Sequence, residues 1–139
     1  MALKKRRPGL VYPTWEDWHY VGSGGGEPSF SDGWVNGETG LQKCAFRLRE
    51  AGAVDIVGFV KTTSATTRDV FILPAGYRPN ALVTFPSVRR DFDDNLLYAD
   101  LVQINTSGAV IVDYANVYAA YDKFLFNASF FLTPAATLA

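Results

Sequence analysis

Few side chains in this sequence are able to do acid–base or nucleophilic chemistry. His19 is its one histidine and Cys44 its one cysteine. A hydrolytic triad needs a nucleophile, a base and a third group that orients the base, whereas His19 is flanked by Trp18 and Tyr20. We interpret His19 as a packing or surface residue and Cys44 as a buried, inert thiol. The sequence therefore predicts no enzymatic activity, no catalytic residue and no disulfide bond within the chain.

The densest acidic group lies in one polar segment. Asp91, Asp93 and Asp94 are followed by Asn95, and hard cations such as calcium prefer oxygen ligands of this kind. The segment lacks the glycine and the distal glutamate of an EF-hand loop. We interpret it as a solvated polar loop, with a calcium site as the alternative, and we predict no metal and no cofactor for the protein.

Exposed aromatic rings beside amides and carboxylates are suited to binding sugars. Tyr98 follows the polar segment, so the candidate glycan contact comprises Asp91, Asp93, Asp94, Asn95 and Tyr98. Three further tyrosines fit a hydrophobic stripe against another subunit better than a sugar platform: Tyr114, Tyr118 and Tyr121. A glycan-cleaving enzyme is a weaker alternative, because it needs two carboxylates about 5 to 10 Å apart in a cleft, and no single segment offers such a pair beside an aromatic platform.

The overall composition suggests a protein that buries apolar surface against a neighbour. Apolar residues make up 48% of the chain and charged residues 19%, compared with about 25% charged residues in an average soluble domain. The surplus predicts either subunit contact or an aromatic-rich core. The formal net charge of −1 creates no general attraction to polyanions, so no nucleic-acid partner is predicted. Without an apolar stretch of about 18 residues, no membrane insertion is predicted either.

Residues 1–32 lack the periodicity of a strand or a helix. We interpret them as an extended arm and linker, because the run from Gly22 to Gly26 is almost entirely glycine and makes a flexible joint. The basic cluster from Lys4 to Arg7 is typical of a solvated tail, with docking on an acidic surface as the alternative. Aromatic side chains in the arm need cover from a neighbouring subunit or from the arm's own domain; they are Tyr12, Trp15, Trp18 and Tyr20.

Residues 33–139 show the two-residue alternation of short strands separated by turn-forming residues. We predict strands at 44–49, 54–61, 70–73, 81–85, 96–104, 109–113 and 124–132. The segment 54–61 is apolar on both faces, which is typical of a strand covered on both sides, and Gly58 within it would admit another backbone or an aromatic ring. Residues 105–108 predict a hairpin turn. The fold class is therefore all-β, an antiparallel, jelly-roll-like β-sandwich of about eight strands.

Several stretches resemble the C-terminal domains of bacteriophage tail fibres and minor tail proteins. The stretches that carry the resemblance are Gly33 to Asn36, the segment 45–61 with Gly52 and Gly58, the segment Val70 to Pro79, and the hairpin 104–112. The match spans roughly residues 33–132. In that family a sandwich domain, commonly trimeric, lies at the tip of a tail appendage and meets the bacterial envelope.

The resemblance implies a non-enzymatic virion protein, made in the cytoplasm of the bacterial host and associated with the tail. Its implied partners are further copies of itself in a homotrimer, other virion proteins and a bacterial surface polysaccharide. The predicted contacts with subunits or the virion are Trp15, Trp18, Tyr20, Trp34, Tyr114, Tyr118 and Tyr121. Here a short arm begins at Met1 without a collagen-like or coiled-coil stalk, so the alternative is a capsid decoration or cement protein of the same fold.

The Leu-Pro-x-Gly-Tyr-Arg-Pro segment is the most specific part of the resemblance. Pro74 ends a strand and Gly76 permits a sharp turn. Tyr77 inserts an aromatic ring with a polar tip, and Pro79 begins the next extended segment. We expect this structural turn to seal one end of the sandwich and to present Arg78 from a rigid corner.

Overall fold

The computed structural model describes residues 15–49, 52–63, 68–90, 97–112 and 123–132. These ranges contain nine strands: β1 His19–Tyr20, β2 Trp34–Asn36, β3 Ala45–Arg49, β4 Ala53–Thr62, β5 Asp69–Ile72, β6 Val83–Arg90, β7 Leu97–Ile104, β8 Ala109–Val112 and β9 Lys123–Phe131. All of their pairings are antiparallel. The predicted all-β, antiparallel class is confirmed. Within the same ranges, no helix has the length and hydropathy needed to cross a membrane.

The strands form one curled sheet in the order β1-β3-β4-β9-β6-β7-β8-β5, and β2 also pairs with β4. Each of the seven strands predicted from alternation is found, as β3 to β9. The largest difference is at β6, which was predicted to end before Pro86 but continues to Arg90. Pro86 is tolerated because the pairing between β6 and β9 covers only Arg89–Phe124 and Arg90–Lys123, which leaves Pro86 outside that ladder.

β2 and β3 lie end to end along one edge of β4. Asn36 pairs with Val60 and Ala45 pairs with Val57, so residues 37–44 make an excursion opposite only two residues of β4. At Gly58, where φ is +117°, a Cβ atom would lie 2.4 Å from the carbonyl oxygen of Lys43. The prediction that Gly58 admits another backbone is confirmed.

The described part of the predicted arm lies against both ends of the sheet. β1 pairs with β3, and Phe30 forms an isolated bridge to Phe71 of β5. The amide of Ser31 also donates to the carbonyl of Val70 at 2.8 Å. Residues 19–31 therefore connect the two edge strands and help to close the curled sheet around its core.

The core is built from the inward-facing residues of both halves of the curl. Phe46 of β3 stacks on Phe71 of β5 with ring centroids 6.1 Å apart, and Phe85 of β6 lies 6.4 Å from Phe130 of β9. Cys44 is fully buried beside them, and burial raises the pKa of its thiol far above the usual range. The predicted buried thiol at Cys44 is thus confirmed.

The hairpin predicted at residues 105–108 joins β7 to β8. The side-chain oxygen of Asn105 accepts hydrogen bonds from the amides of Ser107 and Ala109, at 3.1 and 3.0 Å. Gly108 adopts a φ of +89°. Asparagine and glycine occupy the positions where local side-chain bonding and a left-handed backbone are needed, so the turn prediction is confirmed.

Candidate functional site

An apolar row crosses four neighbouring strands on the face of the sheet that points away from the core. Phe59 of β4 pairs directly with Leu125 of β9. Continuing the β6–β9 register from Arg89–Phe124 places Val88 opposite Leu125. Leu97 of β7 pairs with Arg90 of β6, lines the same groove as Val88 and is 68% exposed. We call Phe59, Leu125, Val88 and Leu97 the outer row.

The outer row lines an open apolar groove of about 410 Å³, together with Arg90. Leu101 of β7 is exposed on the same face and extends the apolar surface. Strands that are apolar on both faces are normally covered on both. The outward side of these strands has no such cover from the described residues, although the inward side already packs in the core.

Cations border the outer row at one end. The ammonium of Lys123 lies 2.5 Å from the carboxylate of Glu38, and this hydrogen bond and charge hold the pKa of Glu38 below its usual range, with Lys61 and Arg90 contributing. Arg90 is exposed, and its charge acts on Glu38. Among the described residues, this rim carries more positive than negative charge.

Trp15 and Trp18, two of the predicted contact residues, hold an arginine between them. The guanidinium carbon of Arg47 lies 4.4 Å from the ring centroid of Trp15 and 4.1 Å from that of Trp18, which is cation–π distance. Trp15 is still 48% exposed. The stack fastens the segment that begins at Trp15 to the outer face of β3 and leaves Trp15 partly open.

The arginines of β3 also bind a buried carboxylate on β4. Nε of Arg49 donates to both oxygens of Asp55, at 3.1 and 3.0 Å, and Nε of Arg47 lies 3.4 Å from Oδ2. The hydroxyl of Ser129 on β9 donates to Oδ1 at 2.6 Å. These groups link three strands across the sheet and extend the stack of Trp15 and Trp18.

A second polar cluster joins the predicted arm to the structural turn of residues 74–79, called the corner below. The hydroxyl of Tyr77 lies 2.8 and 2.7 Å from the two oxygens of Glu16 and 3.2 Å from Nε2 of His19. Nδ1 of His19 lies 2.9 Å from the carboxylate of Glu27. His19 also stacks on Phe46, with centroids 5.2 Å apart. The histidine is thus a packing residue within a polar cluster.

This cluster shifts the acidity of two of its members. Burial raises the pKa of Tyr77 to about 12, and the carboxylate of Glu16 adds to the effect. Burial alone would raise the pKa of Glu16, but hydrogen bonds from the Leu48 amide and the Tyr77 hydroxyl, together with His19, lower it below the usual range. Tyr77 is therefore a hydrogen-bond donor at neutral pH and Glu16 its ionised acceptor.

The corner itself is tightly held. The amide of Tyr77 donates to the carbonyl of Pro74 at 3.1 Å, Gly76 has a φ of +94°, and Pro79 is buried. Nε of Arg78 donates to the carbonyl of Leu73 at 2.8 Å, which ties the partly buried side chain to the turn. The presentation of Arg78 from this turn stays a prediction.

The remaining predicted contact residues lie apart. Trp34 is 2% exposed and packs on Phe124 in the core, so its indole offers no surface to a partner. Tyr20 is exposed and lines a different, polar groove of about 550 Å³ near Asn36 and Lys43. The ring of Tyr98 is covered on one face by the guanidinium of Arg89, 4.3 Å away.

Several predicted residues lie outside the described ranges, and their assignments stay predictions. They are Asp91, Asp93, Asp94, Asn95, Tyr114, Tyr118 and Tyr121. Within the described ranges, no group of three histidine, cysteine, aspartate or glutamate side chains is arranged to hold a metal ion.

Sequence reasoning did not identify the outer row. The sequence carried one indication of it. The segment 54–61 was predicted to be apolar on both faces, and Phe59 lies on the outward face of that segment. The Glu16–Tyr77 contact had no local signal, because its members lie 61 positions apart.

Comparison of the chain with models of known protein families gave no match. Comparison with curated proteins gave none either.

Proposed function

We propose that the protein is a non-enzymatic structural component of a bacteriophage particle, associated with the tail and assembled as a homotrimer. The outer row carries this proposal. Four strands already contribute inward side chains to the core, yet each also places one apolar side chain in the outer row on the opposite face. Contiguous apolar surface of this kind is typical of a contact between subunits.

The resemblance of residues 33–132 to tail-fibre and minor-tail domains supports the virion assignment. It also supports a finer description of the fold, in which β1-β3-β4-β9 and β6-β7-β8-β5 act as the two layers of a jelly-roll-like sandwich. The contact Phe46–Phe71 fits this description, since it joins β3 and β5, which belong to different proposed layers and are not paired with each other.

The chemistry of the reactive side chains supports a non-enzymatic role. The thiol of Cys44 is buried with a raised pKa, which opposes formation of the nucleophilic thiolate. Both ring nitrogens of His19 lie within 3.3 Å of partners in the Glu16, Glu27 and Tyr77 cluster. Acidic partners on both sides suit a structural imidazole better than a base poised beside a nucleophile.

Light scattering of the purified chain tests the assembly. We expect a mass three times the 15.3 kDa of the chain, and we expect Val88→Asp to reduce it, because a carboxylate would be desolvated in the contact. Thr84→Asp is the matched control, since Thr84 is exposed on the same face of β6 but lies beyond the outer row. A wild-type monomer at every concentration would overturn the proposal.

Antibody labelling of intact particles tests the location. Label at the tail supports the tail role, label over the whole capsid identifies the decoration alternative, and particles free of the protein overturn the virion assignment.

A further inference from the structure

We propose that the outer row of one copy is covered by the Trp15–Asp17 edge of the next copy, with Asp17 of that copy facing Arg90 of the first. This inference rests on the proposed homotrimer and adds the identity of its two contacting surfaces. It is a heterologous contact, in which each copy uses one patch to receive a neighbour and a different patch to reach the other neighbour.

The receiving patch is apolar with a cationic border. Phe59, Val88, Leu97 and Leu125 line its groove. Arg90 stands at the rim and its charge acts on Glu38, whose carboxylate is already bound to Lys123. Covering a guanidinium beside apolar side chains is costly unless a carboxylate accompanies it, so a surface that offers both apolar area and a carboxylate suits this patch.

The Trp15–Asp17 edge supplies both. Trp15 is half exposed even though its ring lies 4.4 Å from the guanidinium of Arg47 and 5.8 Å from that of Arg49, so part of the indole remains available to a partner. Asp17 is exposed and has no hydrogen-bond or ion-pair partner among the described residues. Tryptophan is among the residues that contribute most to protein interfaces.

Three other carboxylates of the arm and of the receiving patch already have partners. Glu16 is held by Tyr77 and the Leu48 amide, and Glu27 is held by His19. Glu38, the acid at the receiving patch, is bound to Lys123 of its own copy. Asp17 is therefore the carboxylate beside Trp15 that is available to a second copy.

The two patches occupy different strands of the sheet. Trp15 lies over Arg47 of β3, whereas the outer row begins at Phe59 on β4 and continues through β9 and β6 to Leu97 on β7. Two patches made of different residues are what a heterologous contact needs, because each copy then keeps one patch for each of its neighbours in a closed ring.

Charge reversal tests the pairing of Asp17 with Arg90. We expect Asp17→Arg and Arg90→Asp each to raise the concentration needed for trimer formation at least about tenfold, because each places like charges together. The double variant Asp17→Arg, Arg90→Asp restores the opposite pairing, so it should recover most of the loss. Sedimentation velocity over a concentration series gives the measurement for all four proteins.

Two control variants show whether charge reversal elsewhere on the surface affects assembly. Asp32→Arg and Lys43→Asp reverse exposed charges outside both patches and should leave assembly near wild type. A wild-type trimer that tolerates both single reversals, or a double variant as weak as the sum of the single variants, would overturn this contact while leaving the homotrimer intact. A monomeric wild-type protein would overturn the homotrimer itself.

Discussion

The hydroxyl of Tyr77 donates to the carboxylate of Glu16, with both Glu16 oxygens within 2.8 Å of it. Glu16 also accepts a hydrogen bond from the amide of Leu48 at 2.9 Å. A single carboxylate thus joins the segment before β1, the edge strand β3 and the corner that follows β5. The N-terminal segment is fastened by polar contacts as well as by strand pairing.

Replacing Tyr77 by phenylalanine tests the strength of this fastening. Tyr77→Phe leaves the ring on Phe46 but removes the donor, and a hydrogen bond to a charged group contributes about 1.5 to 3 kcal/mol. We expect the free energy of unfolding, measured by urea denaturation, to fall by about 2 kcal/mol. Tyr20→Phe is the control, because the exposed Tyr20 hydroxyl has no hydrogen-bond partner among the described residues, and its effect should be negligible. Equal stability of the two variants would contradict the proposed role.

Alkaline pH should weaken the wild type more than Tyr77→Phe. The folded protein keeps the Tyr77 proton up to a pKa of about 12, whereas the unfolded chain loses it near 10. Between these values the unfolded state binds fewer protons, so stability falls as pH rises. We expect the stability difference between wild type and Tyr77→Phe to shrink over this window. Absorbance titration of tyrosine should show one late-ionising group that is missing from the variant.

Acid pH should lower the stability of the wild type through Glu16, as the carboxylate becomes protonated. Its pKa in the folded state lies below the reference value of 4.5, so its contribution is complete above that value and is lost as pH falls through the folded pKa. We expect Glu16→Gln to be less stable than wild type at neutral pH and to approach it in acid. Urea denaturation at a series of pH values measures this, with Asp32→Asn, at an exposed carboxylate, as control. A constant difference between Glu16→Gln and wild type across the series would contradict the assignment.

The pattern of apolar residues predicted the strands well, because each of β3 to β9 has side chains facing a single core. β3 is the simplest case: Phe46 and Leu48 alternate with Arg47 and Arg49. The sequence did not predict the role of residues 19–31, since a two-residue strand and one isolated bridge are too short to show a period. Their contribution depends on where the two sheet edges come together, which is a property of the whole fold.

The candidate site was predicted less well, for a physical reason. Tryptophan and tyrosine were expected at the contact, but Trp34 lies in the core beside Phe124, while the outer row consists of Phe59, two leucines and a valine. Sequence alternation identifies that a strand has two apolar faces, but which face the core covers depends on the curl of the sheet.

The buried carboxylate of Asp55 should be important for stability. Asp55→Asn keeps the shape of the side chain but leaves Arg47 and Arg49 without their counter-ion, and breaking a buried pair is strongly destabilising. Since both arginines are partly exposed, we expect a loss of about 2 kcal/mol by urea denaturation, less than the about 3 to 5 kcal/mol of fully buried pairs. Asp32→Asn, at an exposed aspartate, should change stability by less than about 0.5 kcal/mol. Equal effects of the two substitutions would show that the arginines do not depend on Asp55.

The excursion of residues 37–44 should depend on Gly58. In Gly58→Ala the added Cβ would lie 2.4 Å from the Lys43 oxygen, and the residue would have to keep a φ of +117°. The atoms it would meet belong to the backbone of Lys43 and Cys44 and cannot rotate away. We therefore expect the free energy of unfolding to fall by about 4 kcal/mol or more. Gly40→Ala separates the steric clash from the backbone strain, because φ there is +91° but nothing lies within 4 Å. It should lower the free energy of unfolding by about 1 to 2 kcal/mol.

Thiol labelling adds a second measurement. Cys44 adjoins the displaced backbone and is buried, so it should react with a thiol reagent faster in Gly58→Ala than in Gly40→Ala. Equal labelling rates and equal stabilities would mean that the excursion does not pack on β4 at this point.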